Sequence, residues 1–404
     1  MSRTILHMDL DTFFVSVERL IDSSLNDKPI LIGGTGDRGV VASCSYEARK
    51  YGISSGMSMK MARMLCPGAT VIRGNSGVYT KHSKLVTEIM KEQMPILEKA
   101  SIDEFYADMT GMDKHFGCYQ YASELRQTIM RETGLPISFG LSSSKTVAKV
   151  ATGEAKPNNQ LKIDFGTEKP FLAPLSIKKI PMIGDKTFQT LCNLGIKRVH
   201  TIQEMPAEMM QNVLGKNGLM IWQKANAIDN SQVIEYHERK SISSERTFGK
   251  DTTDMMKLRT TIAAMAENLA YWLREGGKLA SCVSVKIRYS DFNTYSKQVK
   301  IAYTSADHVI IPTVMELFES LFTRRLLVRL VGVKCSSLVD GCYQMSLFDN
   351  VRQTAQLYEG MDKIRKKFGD RSVMRASTLG AKTIGNFTNP FNGEPPILLA
   401  HRNQ

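Results

Sequence analysis

The sequence predicts an α+β chain of several domains, and three observations predict it. Its 404 residues divide into about two to four domains of ordinary size. Strand-like and helix-like patterns alternate as far as about residue 165, which is the mark of a mixed unit. From about residue 240 the order becomes strand, helix, strand, strand, helix, strand, the β-α-β-β-α-β pattern of a ferredoxin-like module. Hydrophobic content of 42% and charged content of 23% belong to a folded globular protein and exclude wholesale disorder.

Residues 4–11 form a β-rich run, and Phe13 to Leu20 has helical spacing. Pro29 to Gly34 reads as a buried strand ending in glycines, and Gly39 to Ser43 as another. Tyr46 to Tyr51 and Lys60 to Leu65 read as helices, the second closed by Cys66-Pro67-Gly68. A helix over 79–93 stops before Pro95, and a strand over 97–102 follows. A helix over 119–133 ends in Gly134-Leu135-Pro136. Next come a strand over 137–141 and a helix capped near Ser142 or Ser143. Residues 170–230 change character, with helices punctuated by Pro-x-x-Gly and Leu-Gly-Ile turns.

The following stretch gives strand 241–248, helix 255–275, strands 280–290 and 294–303, helix 308–325 and strand 327–337. Within it Val283, Val285 and Ile287 alternate with Ser284, Lys286 and Arg288, so one sheet face is apolar and the other basic. That basic face suits phosphates, and it equally suits an ordinary solvated surface. The last stretch holds a Lys/Arg-rich helix over 354–368 and a Gly/Asn/Pro-rich end.

A net charge of +13 favours a polyanionic partner, whose phosphates it neutralises with release of counterions. On charge alone, a basic protein without such a partner fits as well. No run approaches the ~18 apolar residues of a membrane span, and Met1 to Asp9 lack an apolar stretch of signal-peptide length. A cytoplasmic protein with no membrane partner is expected. The seven cysteines are scattered, odd in number and free of CxxC spacing, which fits reduced structural cysteines and neither a zinc site nor a disulfide frame.

Two acidic clusters carry the chemistry. One is His7-Met8-Asp9-Leu10-Asp11, and the other is Ser101-Ile102-Asp103-Glu104. Each follows or interrupts an apolar run, so each reads as a strand that delivers carboxylates to water. Gathered carboxylates repel one another unless a positive charge sits among them, and hard cations such as Mg²⁺ prefer oxygen ligands. Two metals so held stabilise both the attacking and the leaving oxygen of a displacement at phosphorus. Asp9 and Asp11, two apart on a strand, share a face. Asp103 and Glu104 point opposite ways on an ideal strand, so both meet one site only where the backbone bends or the longer Glu reaches round. A lone Asp-x-Asp is more often a solvated strand end; the pair of clusters is the stronger signal.

Tyr46 and Arg49 fall at i,i+3 on a helix, where a phenol and a guanidinium side by side clamp phosphate oxygens. Arg49 alone is equally a surface residue paired with an acid. Lys156 precedes Pro157, which stops a helix, so it reads either as a point charge for a triphosphate or as a solvated lysine. Ile180 to Lys186 followed by Leu194-Gly195-Ile196 matches a helix-hairpin-helix. Gly184 there lets backbone N–H groups approach a DNA phosphate; a tight turn between packed helices is the alternative. Gln344-Met345-Ser346-Leu347-Phe348 pairs a glutamine with two apolar anchors that need a pocket, on this chain or another.

Together these residues resemble the Y-family (translesion) DNA polymerases, most closely the bacterial DNA polymerase IV type, from about Thr4 to Ser337 with the motifs in family order. The resemblance implies a right-hand polymerase. Its palm would be 1–168 with small fingers inserted at about 20–75, its thumb the helix-hairpin-helix at 169–235, and its little finger the β-α-β-β-α-β module at 236–340. A tail at 341–404 would carry a clamp-binding peptide at 344–348. The resemblance makes Asp9, Asp103 and Glu104 catalytic, with the backbone carbonyl of Leu10 joining them as ligands of two Mg²⁺ ions. It places Thr12, Phe13, Ser43, Tyr46, Arg49 and Lys156 on the incoming dNTP, and Phe14 at the steric gate against a ribose 2′-OH. Gly184, Lys186, Lys286 and Arg288 would face primer-template DNA, while Gln344, Leu347 and Phe348 would dock a sliding clamp. Small residues at Gly33, Gly34, Val40, Ala42 and Gly56 would roof the nascent base pair and leave room for damaged templates.

More than fifty residues follow the clamp-like peptide, a departure from polymerase IV proteins and a likeness to the mutagenesis-polymerase branch. The expected protein is thus a monomeric, template-directed, error-prone DNA polymerase. A non-catalytic scaffold derived from such an enzyme predicts erosion of the acidic or triphosphate residues, all of which are present. A Mg²⁺-dependent nuclease or cyclase with a similar palm would lack the hairpin, the basic module and the clamp-like peptide.

Overall fold

The structure is a computed structural model that describes residues 3–112, 117–341, 351–369 and 372–381. Among the described residues the chain divides into two compact units, one running to His237 and the other starting at Glu238. In the first, β1 (Ile5–Leu10) is followed by α1 (Phe13–Ile21), β2 (Ile30–Gly33), β3 (Val41–Cys44), α2 (Tyr46–Arg49), α3 (Met59–Leu65) and β4 (Thr70–Ile72). Then come α4 (Ser76–Gln93), β5 (Leu97–Lys99), β6 (Glu104–Asp108), α5 (Cys118–Thr133), β7 (Ile137–Ser142), α6 (Lys145–Ala155) and β8 (Gln160–Lys162). A sheet in the order β5-β6-β1-β7-β8 forms its centre.

Alternation along β1 decides the layers. Leu6, Met8 and Leu10 are buried in one core with Val86, Ile89 and Met90 of α4 and Leu125 and Ile129 of α5. His7 and Asp9 therefore face the other way, toward α6. Gly140 on β7 lets α6 approach closely, because a Cβ there would lie 2.2 Å from the Ala148 carbonyl oxygen. A three-stranded sheet, β3-β2-β4, has a small core of its own around Leu31, Val41, Ile53 and Met59.

Two expectations fail here for a physical reason. The strand expected over 97–102 ends at Lys99, the chain turns, and a new antiparallel strand, β6, starts at Glu104. The Ser101 hydroxyl makes the turn by accepting from the N–H groups of Asp103 (3.2 Å) and Glu104 (2.9 Å). Likewise α6 is capped one residue later than read, by Ser144, whose Oγ accepts from Val147 N–H.

The first unit continues with α7 (Glu168–Leu172), α8 (Asp185–Asn193), α9 (Val199–Glu204), α10 (Ala207–Leu214) and α11 (Lys216–Ala225), closed on Leu172, Ile180, Leu191, Ile202 and Ile221. The second unit is β9 (Ser241–Thr252), α12 (Met255–Glu275), β10 (Lys278–Tyr289), β11 (Thr294–Thr304), α13 (Asp307–Leu321), β12 (Val328–Asp340) and α14 (Val351–Phe368). Its strands lie in the order β11-β10-β12-β9, all antiparallel. Val283, Val285 and Ile287 are fully buried in a core with Leu258 and Ile262 of α12 and Ile310 and Val314 of α13. Buried charges tie α14 to this layer: Arg365 donates to Glu267 at 2.7 Å, and Arg274 spans Asp307 and Asp362, each at 2.6 Å.

Candidate active site

Strand register brings the two acidic clusters together. Asp9 on β1 lies directly opposite Glu104 on β6, so their side chains share the face that α6 covers. One residue on, Leu10 N–H donates to the carbonyl of Asp103 at 3.0 Å. The bend that Ser101 imposes resolves the geometry of the adjacent pair: Glu104 belongs to the sheet, whereas Asp103 sits in the turn, its carboxylate accepting from Ser101 Oγ at 2.5 Å.

Helix α6 meets these carboxylates with two lysines seven residues, or two turns, apart. Lys149 Nζ lies 2.5 Å from Glu104 Oε2. Lys156, the C-cap residue, is ion-paired with Asp9, stands 3.3 Å from Asp11 Oδ1 and donates to the Leu10 carbonyl at 3.4 Å. Beside them His7, fully buried, shares a 2.8 Å hydrogen bond between Nδ1 and the Thr152 hydroxyl.

The electrostatics follow from crowding. Burial raises the Asp9 carboxyl to about 7, despite the attraction of Lys156, and the nearby Asp103 and Glu104 add to the rise. Asp103 is also raised, again chiefly by burial. Burial works against ionised Glu104 too, yet His7 and Lys149 outweigh it and hold that carboxyl at about 2. His7 itself is driven down to about 4 by burial.

Asp11 plays a different part. It is 1% exposed, and both of its oxygens have partners. One oxygen accepts from Ser138 Oγ (2.8 Å) and Asn158 N–H (2.6 Å), while the other faces Tyr46 OH (3.4 Å) and Lys156. The carboxylate thereby braces Tyr46 and Lys156. Burial, and then Asp11, raise the Tyr46 phenol, which stays a donor. The guanidinium of the exposed Arg49 lies over its ring, 5.0 Å from the centroid.

At the start of α1, Thr12 adopts a left-handed conformation with φ 42°. Phe13 then points into the core, while Phe14 stays half-buried and stacks on Tyr79 of α4. Ser43 lies buried on β3. Among the described residues no three His, Cys, Asp or Glu side chains already converge on one point as metal ligands. The donors available are nonetheless all oxygens: the carboxylates of Asp9, Asp103 and Glu104 and the carbonyl of Leu10. That set fits a hard divalent cation, and the lysines supply the counter-charge in this arrangement.

Other expected residues lie elsewhere. Ile180 and Ile183 anchor the turn before α8, leaving Gly184 and Lys186 exposed at its tip. On the polar face of the second unit's sheet, Lys286 pairs with Glu245, and Arg288 Nε donates to Thr294 Oγ1 at 2.8 Å. Gln344, Leu347 and Phe348 fall outside the described residues. Sequence reasoning missed Tyr79, Ser138 and the pairing of Lys149 with Glu104. All three depend on contacts between distant segments, and no local spacing signals them.

The sequence profile of the impB/mucB/samB family matches residues 8–153, and that of its C-terminal domain matches residues 239–347. A protein of Dehalococcoides mccartyi (strain CBDB1), named DNA polymerase IV, is 38% identical over 386 residues, spanning 95% of this chain and 99% of that one. The DNA polymerase IV of Clostridium acetobutylicum is 33% identical, spanning 94% and 99%. Among solved structures, a Y-family DNA polymerase chimera superposes with a TM-score of 0.72 at 24% identity, over 84% of this chain and all of that one. The insertion ternary complex of Dbh DNA polymerase gives 0.61 at 25% identity, with the same coverage.

Proposed function

We infer the working mechanism of this chain from its family: it belongs to the impB/mucB/samB family, the Y-family DNA polymerases of the bacterial DNA polymerase IV type. It is a DNA-directed DNA polymerase of translesion synthesis, and such an enzyme takes primer-template DNA and dNTPs as substrates. No helix among the described residues is long and apolar enough to cross a membrane. The reading beyond this is ours: a monomer working in the cytoplasm, with palm 1–168, fingers at about 20–75, thumb 169–235 and little finger 236–340.

The primer 3′-OH attacks the α-phosphate of the dNTP and pyrophosphate leaves. Asp9, Asp103, Glu104 and the Leu10 carbonyl are the residues that would hold two Mg²⁺ ions, which when bound neutralise charge on the attacking and leaving oxygens. Tyr46, Arg49, Lys156 and Ser43 bind the triphosphate, assisted by the amides of Thr12 and Phe13 at the start of α1. Phe14 fills the space of a ribose 2′-OH. Gly184, Lys186, Lys286 and Arg288 grip the DNA backbone without reading sequence. Gln344, Leu347 and Phe348 dock a sliding clamp.

The register of Asp9 against Glu104, with Asp103 bonded to Leu10, is the observation that carries this reading. A primer-extension assay with Mg²⁺ and dNTPs tests it, run across an abasic site and a bulky guanine adduct. Absence of extension by the wild-type chain would overturn the mechanism. Alanines at Gln344, Leu347 and Phe348 should abolish stimulation by the clamp and leave unstimulated extension intact; undiminished stimulation removes the docking role.

A further inference from the structure

We propose that Lys99 is a positioning residue for nucleotide transfer, fixing Asp103 through the hydroxyl of Ser83. The proposal rests on the polymerase reading above. Lys99 is the last residue of β5, immediately before the turn that carries Asp103. Its ammonium reaches across to α4 and donates to Ser83 Oγ at 2.7 Å and Thr87 Oγ1 at 2.9 Å, while lying 5.6 Å from the centre of the Phe105 ring.

Donor and acceptor roles make this arrangement directional. An ammonium can only donate, so both hydroxyls accept from it and must spend their single protons elsewhere. Thr87 spends its proton on the Ser83 carbonyl (2.6 Å), and Ser83 on the carbonyl of Ile102 (2.5 Å). The Ile102 carbonyl belongs to the peptide that enters Asp103. The N–H of that same peptide is held by Ser101 Oγ at 3.2 Å. The plane from which Asp103 projects is thus pinned at both ends, and Ser83 is only 1% exposed, so no solvent competes. Burial and the nearby Lys91 draw Lys99 down to about 8, against the attraction of the Asp103 carboxylate. Replace the ammonium by an apolar group, and the Ser83 proton is free to turn away from Ile102.

The test compares Lys99→Met, Lys99→Arg, Ser83→Ala and the double variant Lys99→Met/Ser83→Ala at pH 7. Single-nucleotide insertion is measured against dNTP and Mg²⁺ concentration, together with amide hydrogen exchange over residues 100–104 of the metal-free protein. For Lys99→Met we expect kcat to fall ~10–100-fold and the Mg²⁺ needed for half-maximal rate to rise, as when an outer-shell partner of a metal ligand is lost. KM for dNTP stays within about twofold, exchange protection over the turn is lost, and Lys99→Arg, still a pure donor, restores most of the rate. Ser83→Ala reproduces the defect, and the double variant is no worse than either single one. Wild-type kcat, Mg²⁺ dependence and exchange in Lys99→Met would overturn the proposal while leaving the polymerase reading intact. So would defects that multiply in the double variant. Wild-type protein that extends no primer would instead overturn the reading beneath it.

Discussion

The ring of Phe14 lies on that of Tyr79, with centroids 4.4 Å apart and planes 16° from parallel. Tyr79 is itself fixed, its hydroxyl donating to Glu18 at 2.5 Å and its ring edge-on to Phe13. The proposed steric gate therefore has a rigid backstop. Phe14→Ala should admit ribonucleotides, seen as a fall in the dNTP/rNTP ratio of kcat/KM. Tyr79→Ala should lower that ratio by a smaller factor, about 2- to 13-fold, since an aromatic pair contributes roughly 0.5–1.5 kcal/mol. An unchanged ratio in Phe14→Ala removes that residue from the gate.

Asp103→Asn keeps the volume and the contact with Ser101 but removes the charge. Primer extension should fall by roughly 10²–10³-fold or more, the range for deleting one electrostatic stabiliser of a transition state. Affinity for primer-template, read by fluorescence anisotropy, should stay within about twofold, because phosphate contacts made elsewhere dominate binding. Normal extension by this variant would refute the role of Asp103.

The raised Asp9 carboxyl gives a pH dependence with a defined sign. An unfolded Asp loses its proton near the ordinary 3.8, whereas folded, metal-free protein keeps it to about 7. The fold therefore gains stability from that proton at low pH and loses the gain as pH rises through 7. Asp9→Asn should raise the unfolding midpoint of metal-free protein more at pH 8 than at pH 5. Bound Mg²⁺ requires the ionised form, so calorimetry in buffers of different ionisation heat should register more proton release at pH 6 than at pH 8. Equal release at both values would mean that Lys156 already keeps Asp9 ionised.

Much of this could be read from residue spacing because long periodic segments leave little ambiguity. The helix read over 255–275 spans Met255–Glu275, and the alternation Val283, Val285, Ile287 fixes the buried face of β10. Asp9 at the end of an apolar strand, and Tyr46 beside Arg49 on one helical face, were legible for the same reason. The turn at Ser101 was not, since it hangs on one hydroxyl and separates strands of three and five residues. Nor did anything local forecast that α6, reached only after α5 and β7, would set Lys149 against Glu104 and Lys156 against Asp9. Sequence spacing reports neighbours within one element; the site is assembled from contacts between elements.

The docking of α14 yields the last prediction. Arg365 and Glu267 meet at 2.7 Å with their side chains 2% and 3% exposed. Glu267 also accepts from the Thr378 hydroxyl (3.0 Å) and the Arg375 N–H (3.3 Å), so one carboxylate of α12 also holds residues 375 and 378 beyond α14. Removing only the arginine leaves a buried, uncompensated charge, which costs about 3–5 kcal/mol. Arg365→Met should therefore markedly lower the denaturant midpoint of the second unit. Replacing Glu267 as well, in Arg365→Met/Glu267→Met, should return part of the loss, because two apolar side chains of similar volume carry no desolvation penalty. Recovery in the double variant marks a charge-pairing role. A double variant weaker than Arg365→Met would show instead that Glu267 matters mainly through Thr378 and Arg375. A midpoint unmoved by Arg365→Met would mean that α14 does not hold to α12 in solution.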